Sequence, residues 1–152
     1  MKVYFTAATS FNGELQETNA HILLLIKQHR LQIISGEQIA NKTLLAKDKS
    51  LDAQKIYKRE HEFIEQADFL IVEGSRPSLG VGSEISYALQ LNKPVLILVS
   101  TKYEDRISPM IKGDPSESLF IRYYNEDSLK YKISDFIKYI SSIKKRVGKL
   151  IV

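Results

Sequence analysis

The sequence predicts a three-layer α/β fold: a five-stranded, mostly parallel sheet with helices on both faces. Five short apolar runs, rich in β-branched residues and nearly continuous rather than alternating, fit strands covered on both sides. Longer stretches with apolar residues at helical spacing lie among them, and such alternation argues for a parallel sheet. The 152 residues, 43% of them hydrophobic, suffice for one domain with an ordinary core.

Val3 to Thr6 is the first strand, and the N-terminus shows no signal-peptide pattern. Glu14 to His29 follows as a helix with Leu15, Ile22, Leu25 and Ile26 on one face. Leu31 to Ile34 is the second strand. Ser35 to Ser50 is polar and long for a compact connection, so it reads either as a mobile lid or as a disordered surface loop. Leu51 to Gln66 is a helix burying Ile56, Phe63 and Ile64, with Ala67 just past its end. Phe69 to Val72 is the third strand, and a helix over Gly82 to Leu91 comes next. Asn92-Lys93-Pro94 closes that helix and opens the fourth strand, Val95 to Val99. Thr101 to Ser118 is a second polar connection, with Asp114-Pro115-Ser116 as turn material. A short fifth strand, Leu119 to Arg122, precedes the last helix, Ser128 to Lys145. There Leu129, Ile133, Phe136, Ile137 and Ile140 face inward, and Asp127 or Ser128 supplies the cap. The order is that of a flavodoxin-like or Rossmann-like fold. Without a repeat or linker, residues 1–152 form one domain ending in a basic tail (about 144–152).

Composition removes several function classes. There is no cysteine, which excludes disulfides and thiolate chemistry and fits a cytoplasmic protein. No stretch is long enough to span a membrane. The net charge of +4 suits either a phosphorylated small molecule or nucleic acid. Much of it lies at Lys144, Lys145, Arg146 and Lys149, where cations complement the end of a helix, and no recognition motif speaks for nucleic acid. His21, His29 and His61 are scattered without metal-ligand spacing, so neither metal nor cofactor is expected.

The most informative segment is Arg76-Pro77-Ser78-Leu79-Gly80-Val81-Gly82-Ser83-Glu84, between the third strand and its helix. Open α/β sheets bind ligands beyond the carboxyl ends of their strands. Small residues there let backbone N–H groups approach an anion, and the positive helix end favours negative charge. Glu84, in the first helical turn, is then expected to be ionised at a ligand-binding edge, placed to act as a nucleophile.

This segment resembles the nucleoside 2-deoxyribosyltransferase family, and most of all its branch of 2′-deoxynucleoside 5′-monophosphate N-glycosidases. Further matching pieces are Val3-Tyr4-Phe5, Ile56-Tyr57-Lys58-Arg59-Glu60, Gln66-Ala67-Asp68, Lys93-Pro94-Val95-Leu96 and Ser108-Pro109-Met110-Ile111-Lys112-Gly113, in order along most of the chain. The resemblance implies that Glu84 attacks the anomeric carbon of the deoxyribose and that Tyr4 positions its carboxylate. It implies that Ser78, with the amides around Gly80 and Gly82, binds the 5′-phosphate. It also implies that Ser108 reaches that phosphate from a neighbouring subunit, hence a homodimer with composite sites. Three positions depart from the pattern. Glu60 stands where the family usually has Asp. The loop Ala7-Ala8-Thr9-Ser10 lacks the arginine of the branch's Gly-Ser-x-Arg, which removes one expected phosphate contact. Gln38 stands where the hydrolase branch can show a histidine.

Cleaving an N-glycosidic bond requires stabilising charge on the sugar and a proton or hydrogen bonds for the leaving base. Two carboxyls can divide those tasks. Glu84 suits the nucleophile. Glu60 falls beside Ile56, Phe63 and Ile64, where partial burial favours the neutral acid that assists the base. Release of the sugar to water makes a hydrolase, and attack by a second base makes a transferase. A non-catalytic nucleotide-binding module is the alternative from another class. Phosphoribohydrolases of cytokinin-type nucleotides carry a Pro-Gly-Gly-x-Gly-Thr-x-x-Glu string that this chain lacks. Plainer roles stand beside each assignment: a helix cap for Ser78 and Ser108, a salt bridge to Arg59 or Lys58 for Glu60, a strand aromatic for Tyr4. Arg76 and Lys112 are candidate phosphate partners, and Asp68 is expected to be structural, as a cap.

Overall fold

The computed structural model describes residues 1–9 and 14–150, with side chains left aside at Lys49 and residues 147–150. Ser10 of the loop after the first strand and the last two residues of the basic tail lie outside the described residues, as does the side chain of Lys149. The five strands are β1 (Lys2–Ala7), β2 (Gln32–Ser35), β3 (Phe69–Glu73), β4 (Val95–Ser100) and β5 (Leu119–Tyr124). They pair in the order β2-β1-β3-β4-β5, and every pairing is parallel. This is the flavodoxin-like order, whose direction of growth reverses between β1 and β3. The helices are α1 (Gln16–Gln28), α2 (Glu37–Ala40), α3 (Lys42–Lys49), α4 (Ala53–Gln66), α5 (Leu79–Gln90), α6 (Pro109–Lys112) and α7 (Glu126–Leu150).

Strand alternation sorts the core into two layers. Val3, Phe5 and Ala7 of β1 face α1 and α7, packing with Ile22, Ile26, Ile133 and Phe136. Tyr4 points the other way, into the layer with Ile64 of α4 and Val81, Ile85 and Ala88 of α5. Among the described residues no helix is long and apolar enough to cross a membrane.

Four expectations change. Residues 35–50 are neither lid nor disordered loop: they form α2 and α3, with the Asn41 side chain accepting from the Thr43 and Leu44 amides to cap α3. Gly36 makes the turn into α2 at φ 122, and a Cβ there would stand 2.5 Å from the Phe5 carbonyl oxygen, so both backbone and space demand glycine. The last helix begins at Glu126, so neither Asp127 nor Ser128 is its cap. Asn125 Oδ1 accepts from the Ser128 amide at 2.9 Å, and Ser128 Oγ accepts from the Asn125 amide at 3.0 Å, a reciprocal box. The helix after β3 starts at Leu79 rather than Gly82, because Ser78 caps it through the Val81 amide. Asp68 is structural, though not as a cap: it accepts from the Lys2 amide and from Lys144 Nζ, each at 2.6 Å, tying α7 to the start of the sheet.

Candidate active site

β1 and β3 meet at the switch point of the sheet, and α4 and α5 cover the face toward which Tyr4 points. Tyr4 is 1% exposed, so its hydroxyl needs buried partners. It finds two carboxylates: Glu60 Oε2 at 2.7 Å and Glu84 Oε1 at 3.0 Å. Residues 56 and 80 positions away in the chain are thus brought to one phenol. Tyr4 is pushed far above the ordinary tyrosine range by burial first and then by the two carboxylates, so the hydroxyl keeps its proton.

Glu84 sits in the second turn of α5, not the first, because the helix begins earlier than its sequence pattern shows. Its Oε2 is buried and has no hydrogen-bond partner among the described residues. Burial raises its pKa above the ordinary carboxylate value. Thr6 and Tyr4, two residues apart on the same face of β1, oppose that rise, and Glu60 reinforces it. The helix start does not lower the Glu84 pKa, because Glu84 lies beyond the first turn, where the dipole's effect has faded and desolvation is the largest influence.

Glu60 lies on the inner face of α4, one turn before Ile64, and is buried. Its setting is not the apolar one expected of a neutral acid. Arg59 Nε donates to Oε1 at 2.9 Å, and Ser35 Oγ donates to Oε2 at 3.1 Å beside Tyr4. Arg59 also reaches Asp48 of α3. The salt bridge and the convergence on Tyr4 coexist, so Glu60 is both anchored and aimed. Gln38 of α2 donates to Ser35 Oγ at 3.2 Å and joins the same network.

Ser78 and Ser108 serve as caps, the latter through the Met110 amide at 3.2 Å. Both also line one cavity of about 710 Å³, together with Arg76, Gly82, Ile107 and Met110. Gly80 and Gly82 are helical, and an added Cβ would meet only Ser78 Oγ at 3.9 Å in the first case and nothing within 4 Å in the second. The fold itself does not require these glycines. A second cavity of about 420 Å³, lined by Ile34, Ser35, Gln38, Leu44, Arg59 and Phe63, abuts the partners of Glu60. His61 is stacked between Tyr57 and Tyr87, with centroids 3.9 and 4.2 Å away, on the surface of α4 and α5.

Sequence reading missed Glu73. Fully buried at the end of β3, it accepts from the Ser75 amide and hydroxyl and from Tyr124 Oη at 3.0 Å, while Ser75 Oγ accepts from the Ser100 amide at 2.8 Å. It laces the ends of β3, β4 and β5 beneath the loop that leads to Ser78. A carboxylate directly after four apolar strand residues was the available signal.

The chain matches the model of the nucleoside 2-deoxyribosyltransferase family over residues 3–135. A protein of Thermofilum pendens with the provisional name 2′-deoxynucleoside 5′-phosphate N-hydrolase 1 is 32% identical over 126 residues, 83% of this chain and 87% of that one. The 5-hydroxymethyl-dUMP N-hydrolase of Tetraodon nigroviridis is 28% identical, covering 90% and 96% of the two chains. The solved CMP N-glycosidase of Clostridium botulinum shares the fold, with a TM-score of 0.64 and 16% identity over 91% of this chain and 99% of that one. With most of its length matched and two acids meeting at one tyrosine, the chain belongs to the nucleoside 2-deoxyribosyltransferase family and is an enzyme of it.

Proposed function

We propose that this enzyme hydrolyses the N-glycosidic bond of a 2′-deoxynucleoside 5′-monophosphate through a deoxyribosyl ester on Glu84. The observation that carries the reading is the pairing of Glu60 and Glu84 through the Tyr4 hydroxyl. The names of the relatives, deoxynucleoside monophosphate N-hydrolases, support the substrate class.

The proton inventory follows from the geometry. Tyr4 has one proton and two acceptors, so one carboxyl of the pair carries a proton that the phenol accepts. We place it on Glu84 at rest, whose buried Oε2 has no partner among the described residues. Passing that proton to Tyr4, while Tyr4 passes its own to Glu60, leaves Glu84 ionised and Glu60 protonated. Glu84 then attacks C1′. The C1′–O bond forms, the C1′–N bond breaks, and the base leaves with the proton of Glu60. Water next attacks C1′, Glu60 takes its proton, and the ester opens to give the deoxyribose 5-phosphate. Arg59 holds Glu60 in place.

Ser78 and the turn containing Gly80 and Gly82 bind the phosphate, with Ser108 arriving from a second copy. Leu79 and Met110, 97% and 83% exposed beside the same cavity, are apolar surface that such a copy would cover. We place the protein in the cytoplasm, which a cysteine-free chain suits.

The test incubates the protein with each deoxynucleoside monophosphate, with and without a second free base, and separates the products. Free base plus deoxyribose 5-phosphate supports the hydrolase. A new nucleotide formed from the added base identifies a transferase. Binding without any base release, unchanged in Glu84→Ala, identifies a sensing module.

A further inference from the structure

We propose that Arg76 and Arg106, on either side of the Tyr103 ring, form the charged mouth that takes the substrate's 5′-phosphate, and that the Glu14 carboxylate competes with the phosphate for it. This rests on the monophosphate reading above and supplies the cation that the reading lacks. The loop Ala7 to Ser10 carries no arginine, so the charge opposite a phosphate must come from elsewhere along the carboxyl edge of the sheet.

The guanidinium carbon of Arg76 lies 4.5 Å from the Tyr103 ring centroid, and that of Arg106 lies 5.5 Å from it. Arg76 Nη2 donates to both oxygens of Glu14, at 2.6 and 2.5 Å. Tyr103 Oη donates to Glu14 Oε1 at 2.7 Å. A carboxylate thus rests in a cradle of guanidinium and phenol donors, the groups that a phosphate oxygen uses equally well. Both arginines line the cavity that Ser78, Gly82 and Ser108 also line, with Asp114 as its one acidic residue. Arg76 lies between the two sides, since it also lines a cavity of about 120 Å³ together with Glu14.

Charge and exposure decide which anion wins. Both guanidinium groups act on the Glu14 carboxylate, and Arg76 also acts on the buried Glu73. A phosphate monoester carries nearly twice the charge of Glu14 and has more acceptor oxygens. The side chain of Glu14 is 38% exposed and that of Arg76 only 17%. Glu14 can therefore turn into water while Arg76 stays. Its pairing with Arg76 first, and then Tyr103, holds the Glu14 carboxyl below the usual range, so it competes as an anion at neutral pH.

The test uses the full-length protein and two variants, Arg76→Met and the isosteric Glu14→Gln. Inorganic phosphate binding is read by thermal shift, and turnover is compared between a deoxynucleoside monophosphate and its nucleoside. Arg76→Met is expected to weaken phosphate binding about tenfold and to lower the kcat/KM preference for the monophosphate by a similar factor. Glu14→Gln is expected to act in the opposite direction, tightening phosphate about threefold. Phosphate affinity unchanged in both variants overturns the proposal, as does an equal loss for nucleoside and monophosphate in Arg76→Met. If no base is released at all, the catalytic reading fails, while the phosphate titration still decides the anion mouth.

Discussion

The hydroxyl of Tyr4 stands 2.7 Å from Glu60 Oε2, and that one contact turns a strand aromatic into the joint of the site. Because Glu84 Oε1 is 3.0 Å from the same oxygen, deletion of the hydroxyl separates the two acids without moving their helices. Tyr4→Phe keeps the buried ring. Its kcat is expected to fall about a hundredfold or more, the scale of lost acid–base assistance, while KM changes little. A fall confined to KM contradicts the relay.

Glu84 has a folded pKa above its unfolded value. A group of this kind contributes stability below its unfolded pKa, and that contribution is lost as the pH rises through the folded one. Glu84→Gln removes the cost of burying the charge. The variant's Tm should match wild type near pH 4 and exceed it at neutral pH, measured by calorimetry at both. Because the pair's shared proton is needed for the leaving base, wild-type kcat/KM should fall on the alkaline side, as the pH rises through the raised pKa of Glu84. A Glu84→Gln Tm below wild type at neutral pH contradicts the assignment.

Arg59 joins Asp48 of α3 to Glu60 of α4. Arg59→Met is expected to destabilise the fold by about 1–2 kcal/mol, since the pair is only partly buried, and to speed amide exchange across residues 42–49. It should also lower kcat, because Glu60 loses its anchor. Unchanged exchange in α3 sinks this coupling.

Gly82 occupies a helical position where a Cβ meets nothing within 4 Å. Gly82→Ala should therefore stabilise the fold by about 0.5–1 kcal/mol through helix propensity, yet weaken monophosphate binding by crowding the approach to the turn. Chemical denaturation and the KM for the monophosphate check the two halves. A variant that is both more stable and fully active means that the glycine serves no ligand.

Much of the sheet was legible because buried parallel strands announce themselves as continuous apolar runs: Phe69 to Val72 and Val95 to Val99 need no partner to be recognised. Residues 35–50 were not, because two short helices, α3 capped by Asn41 and α2 packed against α1, leave little periodicity in the sequence. The acids Glu60 and Glu84 were visible as residue types in a pattern, and their meeting at Tyr4 follows from strand alternation. Their charge states were not readable. At Glu84 the balance of burial against Thr6 and Tyr4 depends on distances that only the folded chain sets. Glu14 lay outside reach for the same reason, since its partners Arg76 and Tyr103 are 62 and 89 positions away.

The initial rate of base release from a deoxynucleoside 5′-monophosphate, compared between wild type and Glu84→Gln, bears most directly on the nucleophile. The account predicts measurable release by wild type and a rate at least about a thousandfold lower in a variant that is folded and still binds the nucleotide. A Glu84→Gln enzyme that keeps its rate within about tenfold of wild type would place the chemistry on some other group.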